Sequence, residues 1–226
     1  MTTIRLDSGG SGSTDALVSP GVGLWRRPAW LIVLALSAWG ARALLVGPSF
    51  TWLLWNLFLA VCPWLLSSWL VTRPRSWLGF ATAFAAWLLL LPNAPYLLTD
   101  LIHLHERPPM PLALDVLVFA AFALAGVGLG LVSLLSMEGE VRRRLGPKAA
   151  MAMVLTVLPL CGWGVFLGRF QRWNSWDVLL RPGALLEGSV SALLSPKPLA
   201  FSVGFAALLA ALYAAIRPPL TAARGE

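Results

Sequence analysis

Six runs of apolar residues, each long enough to cross a lipid bilayer, constrain the fold of this chain more than any other feature. They cover residues 29–46, 52–71, 77–98, 112–137, 149–167 and 199–216. A transmembrane helix needs about 20 mainly apolar residues. Hydrophobic residues make up 58% of the 226 residues and charged residues only 12%, which is more apolar surface than a soluble domain of this length can bury. The runs therefore predict an all-α bundle of six transmembrane helices.

The predicted transmembrane domain covers residues 25–217. Residues 1–24 include a Gly/Ser run and few large apolar side chains, which predicts a disordered tail, and residues 218–226 form a short C-terminal tail. Arg26 and Arg27 before the first run resemble the start of a signal peptide, and Ala41-Arg42-Ala43 resembles a cleavage site. The arginine inside that pattern and the long polar lead favour an uncleaved first helix.

Basic residues between the runs set the predicted orientation. With six spans both termini lie on one side, and that side holds eleven basic residues: Arg5, Arg26, Arg27, Arg73, Arg75, Arg142, Arg143, Arg144, Lys148, Arg217 and Arg224. The other side holds six: Arg42, Arg107, Arg169, Arg172, Arg181 and Lys197. The positive-inside rule then predicts a multi-pass protein of the cell inner (cytoplasmic) membrane with cytoplasmic N- and C-termini. The bilayer is its expected partner, and the net charge of +7 needs no nucleic acid to explain it.

One polar stretch, residues 92–106, interrupts the apolar pattern after the third run. Pro92 and Pro95 are expected to kink or open the end of the helix and to free backbone carbonyls. Four polar side chains are spaced by three, four and three residues, which puts them on one helical face: Asn93, Tyr96, Asp100 and His103. His105 projects elsewhere. A polar stripe on an apolar helix points into the bundle or into a wet cleft.

Three interpretations of this stripe stay open. Asp100 and His103 are candidate catalytic residues, as a carboxylate and an imidazole for acid–base chemistry. They can also share a metal, although the further ligands are not evident, so no metal site and no cofactor is predicted. The third interpretation is a hydrogen-bonded interface that fixes helix packing.

The fifth run ends in a second polar segment on the same side, Gly168–Asp177. Asn174 and Asp177 have the spacing of a capping box, which predicts a short helix from Ser175 that Pro182-Gly183 stops. The long connection from 168 to 198 is apolar enough to lie in the membrane interface as helical segments. Arg169 and Arg172 are expected either to neutralise Asp100 and Asp177 or to hold a phosphate or carboxylate.

Several smaller patterns are interpreted as packing. Gly126-xxx-Gly130 and Gly164-xxx-Gly168 predict close helix contacts, and no strand precedes the first pair as a dinucleotide site would require. Cys62 and Cys161 lie inside apolar runs and are expected to be free thiols.

Two motifs resemble a bacterial integral-membrane family known as domain of unknown function 1361. They are Leu91-Pro92-Asn93-Ala94-Pro95-Tyr96-Leu97-Leu98-Thr99-Asp100-Leu101-Ile102-His103-Leu104 and Gly168-Arg169-Phe170-Gln171-Arg172-Trp173-Asn174-Ser175-Trp176-Asp177. The resemblance extends over about residues 30–216 and implies a multi-pass membrane protein. It implies no activity, substrate or cofactor.

The functional hypothesis is an outward-facing polar pocket. Its predicted ligand-binding residues are Asn93, Tyr96, Arg169, Arg172, Asn174 and Asp177, beside Asp100 and His103. A structural or interaction role, as an accessory subunit, is the leading use. An enzyme acting on a lipid head group or lipid-linked anionic substrate and a small-solute transporter are the alternatives. Protein partners are not identified by the sequence.

Overall fold

The computed structural model describes residues 21–72, 76–106 and 111–217, and it folds them into helices. In chain order these are α1 (Gly21–Val46), α2 (Thr51–Thr72), α3 (Trp77–Leu90), α4 (Asn93–Tyr96), a 3₁₀ helix (Leu97–His103), α5 (Leu112–Leu145), α6 (Pro147–Gln171), α7 (Asp177–Leu180), α8 (Pro182–Leu193) and α9 (Pro196–Ile216). Within these ranges six helical segments are long and apolar enough to span a membrane, and no residue lies in a strand. The predicted all-α bundle of six transmembrane helices is confirmed.

The predicted tails fall largely on residues outside this description. Residues 1–20 and 218–226 are not among the described residues, so the predictions for them stay predictions. Helix α1 begins at Gly21, which is inside the stretch 1–24 that was predicted as a tail.

Helix α5 is the centre of the bundle, because it is the most buried of the six spans and packs against α1, α2 and α6. Helix α3 packs on α2, whereas α6 packs on α5 and α9. Polar atoms join three helices within this apolar interior. The Trp87 indole donates a hydrogen bond to the Ser133 hydroxyl (2.7 Å), and Ser133 donates to the Pro63 carbonyl (2.9 Å). These bonds connect α3 and α2 to the central helix.

Charged side chains mark the two ends of the bundle, which we name the Asp100 end and the Glu138 end. At the Glu138 end, the buried Glu138 carboxylate accepts hydrogen bonds from the Tyr213 hydroxyl and from Arg217 (2.7 Å), which ties α5 to α9. At the Asp100 end, the buried Arg42 forms an ion pair of 2.6 Å with Asp115 and ties α1 to α5. The buried carboxylates of Glu138 and Asp115 thus each have a cationic partner, as buried charges generally do.

The proline-containing segment Pro92–Tyr96 is held between the two glycine pairs. A Cβ atom added at Gly126 of α5 would collide with the Ala94 carbonyl oxygen, and one added at Gly164 of α6 would lie 2.6 Å from Pro92 Cγ. Gly130 and Gly168 complete the two contact faces. The absence of side chains lets both helices approach the broken segment, which confirms the predicted close-packing role of the glycines.

The connection between α6 and α9 differs from its prediction in detail. Helix α7 begins at Asp177 and not at Ser175, and its N-cap residue is Trp176, which makes no side-chain capping bond. Pro182 follows the end of α7 at Leu180, as predicted. It occupies the first turn of α8, where its missing N–H removes no helical hydrogen bond and its fixed φ suits the helix. The break lies at Arg181, which has an extended φ of −141°.

Candidate functional site

The core of the candidate site is a buried ion pair between Asp100 and Arg169. Asp100 is 1% exposed, and its Oδ1 atom accepts a hydrogen bond of 2.5 Å from Arg169 Nη2. The second carboxylate oxygen, Oδ2, accepts a bond of 2.9 Å from the Asn56 side-chain amide of α2. Both oxygens therefore have a partner, and three elements meet at one carboxylate.

Each of the three nitrogen atoms of the Arg169 guanidinium has a hydrogen-bond partner. Its Nε donates to the Thr99 hydroxyl (2.8 Å), and its Nη1 lies 3.1 Å from His103 Nε2. The carbon Cζ lies 4.1 Å from the centre of the Tyr96 ring, a cation–π distance. Because guanidinium groups only donate, the contact with His103 requires Nε2 to be the unprotonated ring nitrogen.

The 3₁₀ geometry explains why Asp100 and His103 meet the same arginine. Residues three apart eclipse one another in a 3₁₀ helix, so both side chains project in one direction. Asn93, which precedes this helix in α4, has other hydrogen-bond partners. Its amide donates to the Leu90 carbonyl (2.8 Å) and to the Ser175 hydroxyl (3.0 Å), and it is not bonded to Arg169. His105 lies outside the cluster, as predicted, and contacts the His103 carbonyl oxygen.

A second cluster lies in the connection after α6, around Asp177. The buried Asp177 carboxylate accepts from the Asn174 backbone N–H (2.8 Å) through Oδ2 and from Arg181 Nη2 (2.7 Å) through Oδ1. The bond to the Asn174 N–H is half of a capping box. The bond from Asn174 and the Arg181 charge hold the pKa of the Asp177 carboxyl below its usual range. Arg181, which the sequence analysis did not assign to Asp177, takes the place predicted for Arg172.

The depressed pKa of Asp177 predicts an acid-sensitive connection. The stabilising contribution is complete above the ordinary Asp pKa of about 3.9 and is lost as pH falls below it toward the depressed folded-state pKa. Hydrogen exchange of residues 173–181, corrected for intrinsic rates, should therefore accelerate between about pH 6 and about pH 3. Asp177→Asn should exchange faster at the higher pH and change little on acidification. Equal pH dependence in both proteins would contradict the assignment.

A groove of about 960 Å³ adjoins the ion pair, between α3 and α6. Four of the six predicted ligand-binding residues line it: Asn93, Tyr96, Arg172 and Asn174. Arg169 and Asp177 do not line it, and neither Asp100 nor His103 does. The other lining side chains are mainly apolar: Trp55, Leu59, Ala85, Ala86, Leu88, Leu89, Pro92, Leu160, Trp163, Leu167, Trp173, Val178, Leu179 and Leu185. Its volume is within the range of small-molecule sites, about 300–1,000 Å³.

The ion pair also positions part of the groove wall. Asn56 lines the groove while it donates to Asp100, and the Tyr96 ring lines the groove while it lies under Arg169. A change at Asp100 would therefore reach the groove through these two side chains. Asn56 and Thr99 were not recognised from sequence, although a lone amide in the apolar run 52–71 was a usable signal.

Arg172 is the basic side chain of the groove. It is exposed and forms no ion pair with any residue in the described part of the chain. Its backbone is left-handed, with φ 61° and ψ 31°, at the C-terminal end of α6, where glycine is usual. Arginine therefore occupies a position where its backbone is strained, a feature that is frequent at functional sites.

The part of the chain that the structure describes contains no group of three His, Cys, Asp or Glu side chains arranged to hold a metal ion. The thiols of Cys62 and Cys161 are free, as expected.

The fold and this site define a multi-pass membrane protein with a ligand-sized groove at one end of the bundle. Comparison with family models identifies its relatives. Residues 55–212 match the model described as "Protein of unknown function (DUF1361)", so the chain belongs to that family. The match covers both polar motifs. No curated protein and no solved structure matches the chain significantly.

Proposed function

We propose that this protein is a structural or accessory membrane protein that holds an anionic, lipid-like ligand in the groove between α3 and α6. The observation that carries the proposal is the composition of the groove wall, in which mainly apolar side chains surround one cation, Arg172, that forms no ion pair within the described residues. Apolar surface accommodates a hydrocarbon tail, and a guanidinium binds a phosphate or carboxylate with charge-assisted hydrogen bonds.

The dimensions of the groove agree with such a ligand. Leu160 and Arg172 both line it, and twelve residues of helix separate them by roughly 18 Å. The apolar part therefore extends about halfway into a hydrocarbon layer of about 30 Å, while the cation stays near the membrane surface. This is the arrangement of a lipid with its head group at the interface.

The orientation belongs to the same proposal. We place the Asp100 end, and with it the mouth of the groove, on the outer side of the inner membrane. The distribution of basic residues between the predicted loops, eleven against six, supports cytoplasmic termini.

The geometry gives less support to the two alternatives. For an enzyme acting on a lipid head group, Asp100 would need to reach the ligand, yet it is buried and does not line the groove. For a transporter, the Glu138 half would need a polar path. That half instead contains buried Leu134, Val154 and Leu209. The catalytic roles of Asp100 and His103 stay predictions.

Arg172→Gly separates ligand binding from folding. We expect lysophosphatidylglycerol to raise the melting temperature of the detergent-purified full chain, because a ligand that binds only the folded state stabilises it. Arg172→Gly should abolish this rise without lowering the melting temperature of the ligand-free protein, since glycine relieves the left-handed backbone.

Neutral lysophosphatidylcholine tests the need for a net negative charge, and inorganic phosphate tests the need for a hydrocarbon tail. Neither should raise the melting temperature as much as lysophosphatidylglycerol does. Lys197→Ala is the matched control, because Lys197 is an exposed cation at the same end of the bundle but does not line the groove. An undiminished response in Arg172→Gly would overturn the proposal.

A further inference from the structure

We infer that the ligand of the groove is a phospholipid of the surrounding bilayer, with a phosphodiester head group of one negative charge, that reaches the groove sideways between α3 and α6. The inference rests on the proposed function and specifies its ligand. Three observations carry it: the lateral opening of the groove, its charge, and its free hydrogen-bond donors.

The groove opens toward lipid because the helices on its two sides pack elsewhere. Helix α3 packs on α2, and α6 packs on α5 and α9. Between them lie Ala85, Ala86 and Leu160, which line the groove and are exposed on the membrane-spanning surface. The two alanines keep the opening wide. A lipid can therefore move in from the bilayer without its tail leaving the hydrocarbon layer.

The charge of the groove matches one negative charge. Among the described residues that line the groove, Arg172 is the single ionised side chain and none is Asp or Glu. The adjacent Asp100–Arg169 pair is neutral as a unit. A phosphodiester would neutralise Arg172, whereas a phosphomonoester or diphosphate would bring further negative charge beside apolar walls. Charge left uncompensated in such surroundings is costly, so the groove selects against these head groups.

The neutral donors at the groove mouth fit the remaining phosphodiester oxygens. Tyr96 lines the groove, and its hydroxyl has no hydrogen-bond partner in residues 21–72, 76–106 or 111–217. The Asn174 amide also lines it, and its contact with Asp177 is long, at 3.4 Å. With the planar guanidinium of Arg172, they provide donors from α4 and from the connection after α6.

The test is native mass spectrometry of the purified full chain titrated with three lipids: phosphatidylglycerol, phosphatidylethanolamine and a polyprenyl diphosphate. We expect phosphatidylglycerol to bind about tenfold more tightly than phosphatidylethanolamine, because the ethanolamine ammonium competes with Arg172 for the phosphate and meets no acidic side chain among the described lining residues. Arg172→Gly should reduce phosphatidylglycerol binding to the level of phosphatidylethanolamine. Ala86→Phe should weaken both lipids because its ring fills the opening. Ala81→Phe is the matched control, an exposed α3 alanine outside the groove.

The outcomes separate the inference from the proposed function. Tighter binding of the polyprenyl diphosphate, lost in Arg172→Gly, would overturn the phosphodiester inference and leave the proposed function standing. Equal binding of phosphatidylglycerol and phosphatidylethanolamine, lost in Ala86→Phe, would overturn the selection by charge. Binding of every lipid unchanged in both variants would overturn the inference and the proposed function together.

Discussion

Replacing Asp100 with leucine should destabilise the protein by about 3–5 kcal/mol, because Arg169 then keeps its charge inside the bundle without a counter-charge. The Arg169 side chain is 9% exposed and that of Asp100 is 2% exposed, so water cannot substitute for the lost partner. The variant also leaves Asn56 without its acceptor. The apparent free energy of unfolding in mixed micelles measures the loss.

A double-mutant cycle tests whether the ion pair, and not side-chain packing alone, contributes to the free energy of unfolding. Asp100→Leu/Arg169→Leu should be less destabilised than either single variant, since two apolar side chains leave no uncompensated charge. Arg172→Leu is the matched control on the same helix end, and it should change stability by at most about 0.5 kcal/mol because Arg172 is exposed and unpaired within the described residues. Equal losses in Arg169→Leu and Arg172→Leu would show that the pair does not stabilise the fold.

Gly126→Ala should destabilise the protein by about 1–3 kcal/mol, although alanine favours helices, because the added methyl group overpacks the centre of the bundle. The new Cβ would collide with the Ala94 carbonyl oxygen and lie 2.8 Å from Leu97 Cβ. A backbone oxygen cannot rotate away as a side chain can. The segment that begins at Pro92 must therefore move, and Asp100 with it.

Gly139→Ala provides the comparison on the same helix. Nothing lies within 4 Å of a Cβ built at Gly139, so alanine there should stabilise α5 by up to about 1 kcal/mol through helix propensity. Thermal unfolding of the two variants in one detergent gives opposite shifts if the close contact at Gly126 is real. A stabilised Gly126→Ala would contradict the packing of the broken segment between α5 and α6.

Apolar periodicity and small residues were sufficient to predict the bundle and its tight contacts. Six runs of membrane-spanning length specify six helices, and the two glycine pairs predict where helices approach. The sequence analysis left two roles for Arg169, neutralising an acid or holding an anion. Its pairing with Asp100 is the first of these. The pairing of Asp177 with Arg181 was also available, because residues four apart meet on a helix.

The groove could not be predicted in the same way. It exists because α3 and α6 pack on different neighbours, and this depends on contacts among all the helices. Arg172 was expected to neutralise an acid or to bind an anion, and its spacing from Arg169 did not separate these roles. In the structure Arg172 lies at the left-handed end of α6, lines the groove and does not join the Asp100–Arg169 pair.

The pairing of Asp100 with Arg169 also implies an order of events during synthesis and folding of the protein. Sixty-nine residues separate the two partners along the chain. At a synthesis rate of about 5–20 residues per second, the carboxylate waits roughly 3–14 seconds for the arginine to leave the ribosome. During that time α3 has no counter-charge from α6, and we expect Asp100 to stay hydrated at the membrane surface. The groove is then completed late in biogenesis, when α6 arrives and draws the carboxylate into the bundle.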